Sequence, residues 1–396
     1  MSANIDVVVI GGGYAGVMAA NRLTQRDDVT VTLINPRATF VERIRLHQLI
    51  SGTHSAVAEY GKVLNERVRL VVDTVTRIDA AGRTVALRDG GTLGYDYLVY
   101  AVGSGTADPA APGAAEFAYP LGSFEEAERL RAALEAAPAQ GTVTVVGGGP
   151  SGIETAAELA EQGRAVTLVC GGVLGPYLHP RGRRSIAERL AKLGVTVLEG
   201  GGAKVTGVTG TAVRLADDRE LPSAVTIWTA GFGVPDLAAR SGLSTDAAGR
   251  LRTDETLTSI DDERIIAAGD SAAPSDLPFR MGCQSAVQTG PQAAETVLSR
   301  ITGNTPSTID VGFAGQCISL GRRAGVFQFS SKDDQATKRY LGGRPGALLK
   351  EVVCWSTVWQ LSYEARKPGA RTWWSKDEKR QELLRSVPGD TRVSRA

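Results

Sequence analysis

Residues 7–16 read VVVIGGGYAG, a β-branched run that leads into the glycine pattern GxGxxG. Residues 143–152 read VTVVGGGPSG and repeat the pattern, and an Ala-rich helical stretch and a further β-branched run, at 29–34 and 166–169, follow the two copies. Strand, glycine turn, helix and strand predict a βαβ unit that binds a dinucleotide. The first glycine makes the turn, the second admits a pyrophosphate, and the third lets helix and strand pack closely. The sequence therefore predicts two such units.

Further paired features follow each glycine turn. Residues 97–103 and 226–231 are apolar runs that end in a small residue and glycine, and alternating stretches such as 83–87 lie before them. The alternation predicts a small antiparallel meander in each half. Residues 265–270 read IIAAGD, a strand that ends in Gly-Asp, and residues 282–300 have a helical pattern.

The composition is that of a globular protein of two to three domains. The chain has 396 residues, of which 42% are apolar and 22% charged, and this excludes disorder, collagen and coiled coil. The net charge of +1 provides no basic field, so we expect no nucleic-acid partner. The four cysteines are far apart, so we expect no metal site. Without a signal peptide or a membrane-spanning run, the protein is expected in the cytoplasm or on the cytoplasmic face of a membrane.

These motifs, in this order, resemble those of the two-dinucleotide-binding-domain flavoproteins, also called the pyridine nucleotide–disulfide oxidoreductase superfamily. Within it the chain is similar to type II NADH:quinone oxidoreductases and to apoptosis-inducing-factor-like quinone reductases, over residues 4–330. The resemblance implies an α/β fold with two three-layer Rossmann-like domains and a C-terminal α+β region. Residues 1–112 and 253–310 would form the FAD-binding domain and residues 113–252 the NAD(P)H-binding domain. Residues 311–396 would form a C-terminal region that meets a membrane or a second subunit.

The resemblance also implies the site residues. The second glycine turn would hold NADH or NADPH through Gly147, Gly149 and Gly152. FAD would contact the first turn, the ends of neighbouring strands and the Gly-Asp pair, namely Gly11, Gly13, Tyr14, Ala15, Gly16, Asn35, Arg37, Ala101, Val102, Gly103, Gly269, Asp270 and Gln284.

Three residues are expected to act in catalysis by the same resemblance. Glu154 would approach the nicotinamide and flavin, while Gln284 and Gln288 would lie on the quinone side. From the residues alone, Glu154 can equally be an exposed first-turn glutamate, which the helix dipole favours. Gln284 and Gln288, four residues apart, can form one exposed helical stripe.

Several positions depart from the family pattern. The fingerprint expects an acid at the end of the second strand, but Asn35 stands there in the first half and Cys170 in the second. The choice between NADH and NADPH therefore stays open, and Arg181, Arg183 and Arg184 are interpreted as a solvated helix start. Residues 40–52 contain no cysteine, which excludes a disulfide reductase, and Cys283 is interpreted as a substitute for alanine. His47 and His54 are interpreted as structural, with proton relay to a quinone as the alternative for a histidine there.

The C-terminal part differs in character from the rest. From residue 330 onward there are 14 Lys/Arg against 8 Asp/Glu. Within it, an apolar and aromatic stripe advances at helical spacing, and cations and two further tryptophans follow: Leu348, Val352, Trp355, Trp359 and Tyr363, then Arg366, Lys367, Arg371, Trp373 and Trp374. Tryptophan beside lysine and arginine is typical of a helix at an anionic lipid surface. A helix packed on the protein or in a homodimer is the alternative.

The expected activity is that of an FAD-dependent NAD(P)H oxidoreductase that passes two electrons to a quinone. A soluble NAD(P)H:ferredoxin or diaphorase-type reductase is the alternative enzyme. A flavin-bound interaction protein of the apoptosis-inducing-factor type is the alternative outside enzymes.

Overall fold

Both glycine turns join a parallel strand to a helix. The computed structural model describes residues 4–370, 377 and 379–386. Residues 4–112 form strands β1 Ile5–Ile10, β2 Val29–Asn35, β3 Thr39–Val41, β4 Val57–Glu59, β5 Val68–Val72, β6 Val75–Asp79, β7 Thr84–Leu87, β8 Thr92–Gly94, β9 Tyr97–Tyr100 and β10 Gly105–Thr106, and helices α1 Tyr14–Leu23, α2 Leu46–Ile50 and α3 Tyr60–Val63. A short 3₁₀ helix, Arg43–Arg45, precedes α2.

The second half repeats this arrangement. Its helices are α4 Ala114–Phe117, α5 Phe124–Ala136, α6 Pro150–Glu161, α7 Pro180–Lys192 and α8 Leu237–Arg240. Its strands are β11 Ala118–Pro120, β12 Val143–Val146, β13 Val166–Val169, β14 Thr196–Leu198, β15 Val205–Val208, β16 Ala212–Leu215, β17 Glu220–Pro222, β18 Val225–Trp228 and β19 Phe232–Gly233. A 3₁₀ turn, Gly201–Ala203, follows β14.

The remaining elements return to the first half and then form the C-terminal region. They are β20 Leu251–Thr253, β21 Ile265–Ala267, the 3₁₀ helix Gly269–Ser271, β22 Ala272–Pro274, α9 Cys283–Ile301, β23 Gly315–Ser319, β24 Gly325–Ser330, β25 Ala336–Gly342, α10 Gly343–Arg366 and α11 Lys379–Ser386. None of the helices in the described ranges is long and apolar enough to cross a membrane.

Two five-stranded parallel sheets organise the chain. The first has the strand order β21-β9-β1-β2-β5 and the second the order β11-β18-β12-β13-β14. Each half also carries an antiparallel meander, β6-β7-β8 or β15-β16-β17. The C-terminal region adds the antiparallel sheet β23-β24-β25 and the long helix α10. The predicted α/β fold with two Rossmann-like domains is confirmed, and the boundaries at 112, 252 and 310 stay predictions.

Two glycines of the first turn, Gly11 and Gly16, are required by backbone geometry. Gly11 has φ +101°, and a Cβ there would lie 2.3 Å from the carbonyl oxygen of Ala101. A Cβ on Gly16 would lie 1.8 Å from the carbonyl oxygen of Gly11, because α1 packs directly against the turn. The resulting close packing leaves Val9, on β1, with no exposed surface.

Helix α10 contains all the residues of the predicted stripe from Leu348 to Tyr363. On its outward face, Leu348, Val352, Trp355 and Trp359 are 68%, 49%, 62% and 43% exposed. The Trp355 and Trp359 rings stack at 6.1 Å, and Trp359 stacks on Tyr363 at 5.1 Å. Among the residues that the structure describes, these four side chains are thus not packed into the core. Arg371, Trp373 and Trp374 lie outside the described residues.

Candidate active site

The first glycine turn is fastened by two polar side chains. Asn35, at the end of β2, accepts a 3.0 Å hydrogen bond from the Gly12 N–H and donates to the carbonyl oxygen of Arg37. Tyr60 donates to the carbonyl oxygen of Gly12 at 2.8 Å. The guanidinium of Arg37 is paired with Glu125 of α5. Asn35 therefore shapes the turn itself, and Arg37 links the turn to the second half of the chain.

The middle glycine of each turn faces open space. A Cβ on Gly13 or on Gly149 would meet nothing within 4 Å, and both residues have φ near −80°, which alanine adopts freely. By contrast, a Cβ on Gly152 would lie 1.9 Å from the carbonyl oxygen of Gly147. The fold does not require glycine at positions 13 and 149. Both positions fit a cradle in which backbone approaches a dinucleotide pyrophosphate.

The hydroxyl of Tyr14 supports the same interpretation. Tyr14 opens α1, is 7% exposed and packs edge-on against Phe40 at 5.1 Å. Its hydroxyl is buried and has no hydrogen-bond partner among the described residues. Burying a hydroxyl without a partner costs free energy. The residues at the first turn therefore fit a site that a bound cofactor completes.

Asp270 and its neighbours join three segments at the end of the first sheet. Asp270 follows β21 and accepts hydrogen bonds from the Ser104 hydroxyl at 2.7 Å and from the Gly282 N–H at 2.8 Å. Arg43 lies 3.7 Å from the same carboxylate. The segment 101–103 also borders the first turn. A Cβ added to Gly269 would lie 2.9 Å from the Cβ of Ala15, so the Gly-Asp pair packs against the start of α1. The residues predicted to contact FAD from separate motifs thus gather around one edge of the first sheet.

Gln284 and Gln288 bind backbone rather than open space. Gln288 is buried, and its amide donates to the carbonyl oxygen of Gly312 at 3.0 Å and accepts from the N–H of that residue at 3.2 Å. With its amide oriented so that both polar atoms find partners, Gln284 donates to the Gly315 carbonyl oxygen at 3.2 Å and accepts from the Ala314 N–H at 3.1 Å. The two residues do not form an exposed stripe. They fasten the start of the C-terminal region to α9, and their catalytic role stays a prediction.

Glu154 lies inside a buried polar cluster. It is 6% exposed and accepts a 2.9 Å hydrogen bond from the Ser319 N–H, so it is not an exposed first-turn glutamate. The Lys350 ammonium lies 2.9 Å from its Oε1 and the His47 Nδ1 lies 3.5 Å from its Oε2. His47 also contacts the Ser319 hydroxyl through Nε2 at 3.1 Å. These four residues are called the Glu154 cluster below.

The charges of the Glu154 cluster follow from burial and pairing. Burial alone would raise the pKa of Glu154, but Lys350 and His47 hold it below the usual value. Burial would lower the pKa of Lys350, and Glu154 raises it well above the usual range. Burial lowers the pKa of His47 to about 4, because it outweighs the negative charge of Glu154, which raises this pKa. The positive charge of Lys350 lowers it further. At neutral pH the cluster therefore holds a carboxylate, an ammonium and a neutral imidazole.

Lys350 and Ser319 were not found by sequence reasoning. Lys350 lies on the face of α10 opposite the aromatic stripe, in line with the buried Cys354, Thr357 and Leu361. The spacing of four, three and four residues defines a second stripe that faces inward. A lysine within that stripe was the signal in the sequence that could have indicated a buried charged residue.

The cysteines have the properties of neutral thiols. Burial raises the pKa of Cys283 to about 12 and that of Cys354 to about 11. The structure contains no group of three or more His, Cys, Asp or Glu residues suited to a metal, as far as the chain is described. A thiol that stays protonated is a poor nucleophile, which agrees with the interpretation of Cys283 as a substitute for alanine.

The family is decided by a model that describes pyridine nucleotide-disulphide oxidoreductases and matches residues 5–296. The chain belongs to this family. It is 30% identical over 349 residues to an NADH dehydrogenase-like protein of Mycobacterium tuberculosis, which covers 81% of this chain and 87% of that protein. It is 29% identical over 374 residues to the type II NADH:quinone oxidoreductase Ndh of the same organism, which covers 82% of this chain and 78% of Ndh.

A solved structure shares the fold over almost the whole chain. NDH2 from Plasmodium falciparum, solved in complex with NADH, superposes with a TM-score of 0.76 at 17% identity and covers 92% of this chain and 97% of that one. The family model and the curated relatives confirm the family resemblance predicted from the motifs and the assignment to oxidoreductase enzymes.

Two glycines of one turn make a matched pair of variants. We expect Gly13→Ala to leave the free energy of unfolding of the cofactor-free protein nearly unchanged but to weaken flavin binding, because its Cβ enters only the open cradle. Gly16→Ala should destabilise the protein by about 2 kcal/mol or more, because its Cβ overlaps the Gly11 carbonyl. Chemical denaturation of the stripped protein and flavin titration measure the two effects. Equal loss of stability in both variants would contradict the assignment of Gly13 to a ligand.

The Glu154–Lys350 ion pair is tested by a double-mutant cycle. Lys350→Met and Glu154→Gln each leave one uncompensated group buried, so each should cost about 3–5 kcal/mol of unfolding free energy. The double variant should be more stable than the sum of the two losses predicts, since neither charge remains. Urea denaturation of the four proteins measures the coupling. Additive losses would mean that the two side chains do not interact.

Proposed function

We propose that this protein is an FAD-dependent oxidoreductase that takes two electrons from NADH or NADPH and passes them to a quinone. The observation that carries the proposal is the pair of glycine turns whose middle residues, Gly13 and Gly149, face open cradles. The relatives named as NADH dehydrogenase-like and type II NADH:quinone oxidoreductase support the donor and the acceptor.

The chain's own residues would hold each group. Gly11, Gly13 and Gly16 would bind the FAD pyrophosphate at the start of α1, and Asp270 would accept hydrogen bonds from sugar hydroxyls. Gly147, Gly149 and Gly152 would bind the nicotinamide nucleotide at the start of α6, where free amides and the helix dipole favour phosphate. When bound, the flavin would supply two-electron transfer between nucleotide and quinone.

The Glu154 cluster would supply and hold protons. A quinone reduced by two electrons becomes strongly basic, and Lys350 holds a proton at Nζ under the influence of Glu154. Lys350 would release that proton only to such a basic acceptor, and Glu154 would stay ionised throughout. His47, neutral and 3.5 Å from Glu154, would help to hold that carboxylate in place.

Rapid mixing under anaerobic conditions tests the proposal. We expect NADH or NADPH to bleach the flavin within the first turnover and a short-chain quinone to restore its colour at once. Bleaching that quinone leaves untouched, but that a ferredoxin reverses, would favour the ferredoxin reductase. A flavin that neither nucleotide reduces would contradict an enzymatic role.

We further propose that the outward face of α10 binds an anionic membrane surface. Further exposed apolar side chains lie on the sheet that packs against α10, where Phe329, Tyr340 and Leu341 are 40%, 38% and 37% exposed. Exposed cations flank the stripe on both sides: Lys338, Arg339 and Arg344 at one end, and Arg366 and Lys367 at the other. Indoles at headgroup level beside cations suit an anionic lipid surface.

Vesicle binding checks the proposed membrane surface. Val352→Asp together with Trp355→Asp should abolish co-sedimentation with vesicles that contain anionic lipid and lower activity with a long-chain quinone in those vesicles. Activity with a soluble short-chain quinone should stay within about twofold, because the stripe faces away from the Glu154 cluster. Ile260→Asp, at a residue that is 49% exposed elsewhere, is the matched control. If the double variant still co-sediments with the vesicles, and is a monomer where the parent protein is a dimer, the stripe is a subunit interface instead.

A further inference from the structure

The second glycine turn lacks an acid where the nucleotide ribose normally binds. In dinucleotide-binding units, an Asp or Glu at the end of the second strand accepts a hydrogen bond from the ribose 2′-hydroxyl and disfavours a 2′-phosphate. Here β13 ends at Val169 and Cys170 follows. Burial and the nearby charge of Glu199 raise the pKa of Cys170 to about 12, so its side chain is a neutral thiol.

Strand register places a carboxylate beside this thiol. Strand β14 pairs with β13 in parallel, with Leu198 opposite Val169. The Cys170 N–H continues the ladder by donating to the Leu198 carbonyl oxygen at 2.8 Å. Cys170 and Glu199 are therefore the next residues in register, at the same edge of the sheet and on adjacent strands about 4.8 Å apart.

Glu199 also shapes the loop that borders the glycine turn. Its Oε1 accepts a 2.6 Å hydrogen bond from the Leu174 N–H, and the Gly175 N–H donates to the carbonyl oxygen of Gly148 at 2.7 Å. A Cβ on Gly148 would lie 2.9 Å from the Cβ of Cys170, so turn, thiol and loop are in contact. Glu199 is exposed, and within the described chain only its Oε1 is hydrogen-bonded, which leaves Oε2 for a ligand.

The neighbouring cations do not replace this carboxylate with a phosphate site. Arg183 donates through Nη2 to the carbonyl oxygens of Gly175 and Leu178 at 3.5 and 3.3 Å, so it is engaged with the loop. Lys204 is exposed and lies near Gly171, with its Cα 3.8 Å from the Gly171 Cβ position. Lys204 is therefore a competing group that the test has to include.

We propose that Glu199 determines nucleotide specificity, by accepting a hydrogen bond from the adenosine ribose 2′-hydroxyl of NADH and repelling the 2′-phosphate of NADPH. The carboxylate expected at the end of the second strand is thus supplied from the end of the third. This assignment rests on the proposed function only in that a nicotinamide nucleotide binds at the second glycine turn. It makes NADH the preferred electron donor.

Glu199→Gln tests the charge without removing the loop contact, because its amide oxygen still accepts from the Leu174 N–H. The probes are adenosine diphosphoribose and its 2′-phosphate, whose dissociation constants calorimetry measures, together with KM for NADH and NADPH. We expect the wild-type protein to prefer the unphosphorylated probe and Glu199→Gln to lower that preference by about tenfold or more, since a like charge is removed. The melting temperature should not change, because the contact with the Leu174 N–H is kept. Glu188→Gln, at an exposed position on α7, is the matched control and should behave as wild type.

The outcomes separate the two proposals. An unchanged preference in Glu199→Gln, while NADH still reduces the flavin, would overturn the role of Glu199 and leave the proposed function standing. A lost preference in a protein whose flavin neither nucleotide reduces would support Glu199 and contradict the proposed function. A wild-type preference for the 2′-phosphate that Lys204→Gln abolishes would assign specificity to Lys204 and overturn the proposal.

Discussion

The buried ion pair between Glu154 and Lys350 is the contact on which the relative placement of the parts depends. Glu154 belongs to the helix of the second glycine turn, Lys350 to α10 of the C-terminal region, and His47 to α2 of the first half. Two charges that leave water lose solvation, and only close pairing with added hydrogen bonds offsets that loss. Because each partner comes from a different part of the chain, the loss is offset only when all three parts are docked together.

Helix α10 consequently has two roles on two faces. Inward, Lys350 reaches Glu154, and Glu364 pairs with the buried Arg22 of α1, so the helix is tied to both glycine-turn helices. Outward, the tryptophan stripe is exposed. A helix that is fixed to both glycine-turn helices would hold the proposed membrane surface at a constant position relative to the flavin. This arrangement suits an enzyme whose donor comes from water and whose acceptor comes from a membrane.

Local patterns in the sequence were enough to predict the fold and the position of both glycine turns. The glycine turns are local, since Gly11 and Gly16 contact each other within one strand–helix unit, and the parallel sheets follow from that repeat. The Glu154 cluster could not be predicted in this way, because Lys350 is nearly two hundred residues from its partner and no spacing relates them. Helical spacing did predict that Gln284 and Gln288 share a face. It could not predict that the face is buried by the backbone of residues 312–315.

A motif that is read along one strand can assign a function to the wrong residue, and the two halves of the chain show why. Asn35 and Cys170 occupy equivalent places at the end of the second strand of their sheets, and in each sheet a neighbouring strand supplies the residue beside them. In the first half Val72 is paired with Asn35, and Asn35 is engaged with the turn at Gly12. In the second half Glu199 stands beside the neutral Cys170. The carboxylate of Glu199 thus lies on the second sheet, which is proposed to distinguish NADH from NADPH. The corresponding pair on the first sheet, Asn35 and Val72, is uncharged. Sheet register, which no single-strand motif contains, determines which of two adjacent strands supplies the carboxylate.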